Sequence, residues 1–145
     1  MNGNIESETL LDIAKRNFEV AKSIYEKYSN DDGMLNIVAY HLQQCIELGL
    51  KHVLETHGVS YPGTHDIQQL INLLPSDWLP VFDKIEEAAD TISAMEAKTR
   101  YSKGYRTSSR NLTKVCNLAL LMIEDIENME AKEQEMIKRQ LQNKD

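Results

Sequence analysis

Apolar residues recur three and four positions apart along nearly the whole chain, which is the spacing of one face of an α-helix and not the alternation of a strand. From about Ser7 to Tyr28 the stripe is Leu10, Ala14, Phe18, Ala21, Tyr25 and Tyr28, and the run Asn30, Asp31, Asp32, Gly33 breaks it. A second helix is predicted from about Met34 to His57, with Leu35, Val38, Leu42, Ile46, Gly49 and Val53 inward and Gly58 where a left-handed residue commonly ends a helix. Pro62 and Gly63 deliver the chain to Thr64, His65 and Asp66. There Thr64 or Asp66 caps a short helix reaching Leu74, and Asp66 to Gln69 has the spacing of a loose capping box.

Pro75 closes that piece, and a helix from Ser76 or Asp77 to about Ala97 follows on the stripe Trp78, Phe82, Ile85, Ala89, Ile92. TRYSKGYRTSS, Thr99 to Ser109, is a polar break. The last helix begins near Ser108 and passes Met129, with Leu112, Cys116, Ala119, Ile123 and Ile126 on one side and Leu118, Leu121 and Met122 widening it. That breadth suits burial on two sides, one against a second subunit. Beyond Glu130 the chain is charged and is expected to fray into solvent. The fold class that follows is all-α: one domain over residues 1–145, an antiparallel four-helix up-down bundle with one additional short helix.

Composition narrows the function classes. With 145 residues, 41% hydrophobic and 27% charged, the chain reads as one globular domain. No stretch has the roughly 18 apolar residues of a membrane span, and MNGNIESETL lacks the blocks of a signal peptide, so a cytoplasmic location is the expectation. Cys45 and Cys116 lie in apolar helical patterns and read as reduced core thiols. A net charge of −7 disfavours an unspecific grip on nucleic acid. Between Glu96 and Glu124, however, six cations (Lys98, Arg100, Lys103, Arg106, Arg110, Lys114) stand with no acid, leaving ten positive and 23 negative charges elsewhere. A segment at +6 against −13 for the remainder points to an anionic partner.

Three constellations carry candidate chemistry. Tyr40, Gln44, Glu47 and Lys51 form a polar row opposite Leu35, Leu42 and Ile46. Glu47 and Lys51 alone make the ordinary i, i+4 ion pair of a wet face, but the flanking Ile37, Leu48 and Leu54 are too apolar for one. His41, Cys45 and His52 stack on another face, types zinc could use, with no evident fourth ligand. Arg100, Lys103 and Arg106 alternate with Tyr101 and Tyr105 around Gly104 and lead into the start of the last helix, where backbone N–H groups favour phosphate. Arg suits phosphate oxygens and Tyr can stack on a base; a solvated basic loop is the plain alternative. There is no glycine-rich phosphate loop, GxSxG, HExxH or CxxC.

The run Tyr40 to Leu74, followed by TRYSKGY, resembles the HEPN domain family (higher eukaryotes and prokaryotes nucleotide-binding). The likeness rests on the Q-x-x-E-x-x-x-K row (Gln44, Glu47, Lys51), on Thr64-His65-Asp66 and on Arg100-Tyr101. It implies a helical bundle that commonly dimerises, binding of a nucleotide such as ATP or GTP or of RNA, no other cofactor, and pairing with a small nucleotidyltransferase. Arg100, Tyr101, Lys103, Tyr105, Arg106, Gln44, Glu47, Lys51, His65 and Asp66 would then form the ligand site. Family ribonucleases carry an Arg followed four to six residues later by His; here the last histidine is His65, and Arg16 has none at that spacing. The alternatives are a ribonuclease toxin using other residues, Arg100 and His65 first among them, or a non-catalytic antitoxin or scaffold.

Overall fold

A computed structural model describes residues 7–101 and 103–143, the side chains of 97–101 excepted. The fold is all-α, and the described residues contain no strand. Its helices are α1 (Leu10–Tyr28), α2 (Asp32–Thr56), α3 (Ile67–Ile71), α4 (Asp83–Glu87), α5 (Ala89–Tyr101) and α6 (Ser109–Gln142), with a 3-10 segment (Ser76–Phe82) before α4. None of the described helices is long and apolar enough to cross a membrane.

Local chemistry sets the helix ends. Thr9 and Asp12 make a reciprocal capping box at α1, and Asp31 accepts the Met34 N–H at α2, whose start thereby moves two residues ahead of Met34. Asp66 accepts the Gln69 N–H (3.1 Å) at α3, and Ser108 accepts the Asn111 N–H (3.1 Å) at α6. Gly58, at φ +69°, ends α2 in the left-handed region that glycine enters without a Cβ penalty.

α2 is the centre of the bundle, and α1, α5 and α6 all pack on it. Leu42, Cys45, Ile46, Leu50, Val53 and Leu54 are wholly buried, so the helix is apolar most of the way round. Gly49 lets α6 approach, since a Cβ there would meet the Met122 side chain at 2.5 Å. α1 and α5 run against α2. α6 runs along it, from the Asn36 end, where Thr107 just ahead of α6 is tied, to the His57 end, where Glu133 lies. This is the up-down order expected.

One expectation is corrected. The predicted helix from Ser76 to about Ala97 is three pieces. Pro80 has no N–H to give an α-helical ladder, the chain takes 3-10 turns through it, and Ala88 (φ −107°, ψ 12°) separates α4 from α5. Trp78, Phe82, Ile85, Ala89 and Ile92 are nevertheless all buried, because 3.0- and 3.6-residue periods put i, i+3 and i+4 on one side alike. Past Glu130 the charged end is helical in this structure. α6 continues to Gln142, exposed but free of Gly and Pro, with Glu130 and Glu133 bonded back to α2.

Candidate functional site

The polar row of α2 is covered. The loop before α3 lies over it, and the Ile67 N–H donates to Ser93 Oγ (2.9 Å), fastening that loop to α5. Glu47 is only 3% exposed. Of the apolar flank that hinted at a cover, Leu54 is wholly buried and Leu48 half-buried, whereas Ile37 faces solvent.

Glu47 is the hub of a hydrogen-bond chain. Gln44 Nε2 donates to Gln43 Oε1 (2.7 Å), Gln43 Nε2 donates to Glu47 Oε1 (2.9 Å), and Lys51 Nζ donates to Glu47 Oε2 (2.9 Å). His65 Nδ1 lies 2.9 Å from Glu47 Oε1. An ionised carboxylate only accepts, so this nitrogen carries its proton towards Glu47. Burial pushes the Glu47 carboxyl up, but the hydrogen bonds from Gln43, Lys51 and His65 and the charge of Lys51 outweigh it and hold the group below its ordinary value. Lys51 Nζ also sits 5.7 Å from the centre of the Tyr61 ring, whose hydroxyl donates to Glu55 (2.8 Å). Burial and the neighbouring Glu55 push that phenol up to about 12.

His65 is the outlet of this network. Its side chain is 58% exposed while Glu47 beneath it is buried, and Nε2 stands 4.0 Å from Glu96 Oε1 on α5, beyond a direct hydrogen bond. The result is an imidazole oriented by a buried carboxylate, with its Nε2 edge towards Glu96 and more than half of its side chain exposed.

The basic loop is built by a different residue. Asn36, buried near the start of α2, donates from Nδ2 to the Tyr105 carbonyl (2.7 Å) and accepts at Oδ1 from the Thr107 N–H (3.2 Å) and hydroxyl (3.0 Å). Gly104 turns the loop at φ +77°. Arg106 donates to the Tyr105 carbonyl (3.0 Å), and its Nε lies 3.4 Å from Asp32, both side chains well exposed.

The predicted residues thus divide. Gln44, Glu47, Lys51 and His65 are one cluster. Asp66 adjoins it but spends its carboxylate on capping α3. Tyr105 and Arg106 lie by Asn36, eleven residues back along α2 and so roughly 16 Å from Glu47 along the axis. Lys103 is exposed on the same loop. The side chains of Arg100 and Tyr101 lie outside the described residues; their backbone is the last turn of α5, one turn beyond Glu96.

Sequence reasoning missed Gln43, Asn36 and Glu96, which are buried polar groups. Gln43 could have been found, because a Gln four residues before Glu47 on the buried side needs a partner. The column His41, Cys45, His52 does not converge. His41 Nδ1 lies 2.8 Å from Asn17, His52 meets Glu130, and Cys45 is buried, its thiol pushed up to about 12 by burial and by Cys116. Both cysteines are free.

The model of the HEPN domain matches residues 7–129, most of the chain. Comparison with curated proteins and with solved structures returned no match.

Proposed function

The chain belongs to the HEPN domain family, which ties it in general terms to nucleotides or RNA, and on that premise we propose that it binds a nucleotide or another phosphate-bearing ligand along the α2–α5 seam. His65 and Lys51 line the polar end. Lys103, Arg106 and Arg100 hold phosphate towards the loop, and Tyr105 or Tyr101 stacks on the base. An exposed pair such as Arg106–Asp32 is weak, so a phosphate can displace Asp32. The observation that carries the reading is the outward edge of His65, fixed from below by the buried Glu47 network. Calorimetric titration with ATP, GTP and short RNA tests it. Binding weakened about tenfold or more in His65→Ala, the loss of one charge-assisted contact, is expected; no heat and no change in Tm at millimolar ligand overturns it.

The same oriented imidazole favours a second reading, a ribonuclease in which His65 moves a proton, since an acid–base group needs a fixed tautomer and an open nitrogen. Total RNA left intact at large protein excess removes it. We place the chain in the cytoplasm as a homodimer beside a nucleotidyltransferase. Leu120 and Leu121, 42% and 48% exposed in the middle of α6, support a second copy there, and a Leu121→Glu variant sedimenting like the wild type speaks against it.

A further inference from the structure

At the far end of α2, His57 is asked for two incompatible things. Its Nδ1 lies 2.7 Å from the Val53 carbonyl, an acceptor, so Nδ1 carries a proton. Its Nε2 lies 3.1 Å from the indole Nε1 of Trp78, which can only donate, and 2.8 Å from Glu133 Oε2, which as a carboxylate only accepts. Neutral His57 has a bare Nε2 that accepts from Trp78 and repels Glu133. Protonated His57 donates from Nε2 to Glu133 and leaves Trp78, 1% exposed, without that acceptor. One proton decides which partner is kept.

The partners belong to different parts of the molecule. Trp78 is core, in the 3-10 segment, whereas Glu133 is, among the described residues, the last side chain of α6 bonded to another helix. From Gln134 to Gln142 the helix is exposed and includes Met136, Ile137 and Leu141. The charged groups facing the ring are Glu133 and Glu130, both from α6, and Glu130 is itself held by His52 Nε2. On its own helix His57 meets Thr56 Oγ1, 3.2 Å from Nδ1.

We propose that His57 is a proton-operated latch: charged, it clamps the distal turns of α6 to the end of α2 through Glu133, and neutral, it turns to Trp78 and lets those turns go. Burial pulls the ring's pKa down, but the bond to Glu133, the bond to the Val53 carbonyl and the charges of Glu133 and Glu130 outweigh it, and the net shift is upward from 6.5. A group raised in this way contributes below its ordinary value and ceases to contribute as pH rises through the raised one. The clamp is closed at mildly acidic pH and opens as pH rises through that raised value.

The chain contains a single tryptophan, which makes the latch directly readable. Trp78 emission followed from pH 5 to pH 9 should change in one step, with a midpoint above the ordinary histidine value of about 6.5. Glu133→Gln, at a residue whose side chain is 41% exposed, keeps the fold and should move the midpoint down by about half a pH unit or more. His57→Gln should abolish the step. Hydrogen exchange over residues 134–142, corrected for intrinsic rates, should show protection lost above the midpoint in the wild type and low at every pH in Glu133→Gln. An unchanged midpoint in Glu133→Gln, a flat emission profile, or distal protection indifferent to pH overturns the latch.

Discussion

Of the three histidine–glutamate pairs around α2, His65–Glu47 on one side and His57–Glu133 on the other are built inside out relative to one another. At the α5 side the carboxylate, Glu47, is buried and the imidazole, His65, is the exposed member; at the α6 side the imidazole, His57, is partly covered by Trp78 and the carboxylate, Glu133, is the more exposed member. In the first pair the carboxylate is over-supplied with donors, so its charge is fixed and the histidine is the member free to meet a ligand. In the second the histidine has one nitrogen too few for its neighbours, so its protonation is what varies. Which member has neighbours that its one protonation state cannot all satisfy decides whether such a pair orients a side chain or switches one.

The largest test of this contrast removes each carboxylate. Glu47→Ala leaves Gln43 and Lys51 without their acceptor in a covered site and should cost about 3 kcal/mol in denaturant unfolding. Glu133→Ala at neutral pH should cost no more than about 0.5 kcal/mol, since the pair is exposed and screened. Equal losses at the two sites would break the comparison. The same asymmetry has an acid limb. A carboxyl lowered in the folded state gives stability that is present above its ordinary value, 4.5 here, and lost as pH falls through the lowered one. Stability of the wild type should therefore decline below about pH 4.5, and in Glu47→Gln that part of the decline should be missing.

His57→Ala comes next. It takes away the acceptor of the buried Trp78 indole and the contact across the ring edges, centroids 5.3 Å apart, and should cost about 1–2 kcal/mol. A loss confined to low pH would mean that the Trp78 bond carries nothing and only the Glu133 bond counts.

How much of this lay in the sequence differs between the two sides for a physical reason. Helix order, the α3 cap at Asp66 and the positive-φ Gly58 follow from local chemistry, and a helical stripe reports that directly. The stripe from Trp78 to Ile92 was equally legible, yet its backbone was not, because 3-10 and α-helical turns write almost the same apolar pattern and only Pro80 marked the difference. The row Gln44, Glu47, Lys51 looked like a wet face because a wheel shows one helix; its cover comes from the loop at His65 and from α5, which are remote in sequence. The resemblance joined those parts and predicted the cluster, but it reached neither Asn36, which moors the basic loop, nor His57, whose partners Trp78 and Glu133 are 21 and 76 residues away.

A small effect on stability should also fall on the residue on which the proposed binding rests. His65 is more than half exposed and its loss leaves Glu47 still bonded to Gln43 and Lys51, so His65→Ala should lower unfolding free energy by less than about 1 kcal/mol. If it instead destabilises the chain as much as Glu47→Ala, the imidazole is a structural prop and not an outlet. His65→Gln separates the two roles further, since its amide N–H can still reach Glu47 while the side chain offers no titrating nitrogen outward. Full stability together with weakened nucleotide binding in that variant identifies the open Nε2 edge as what the Glu47 network exists to hold in place.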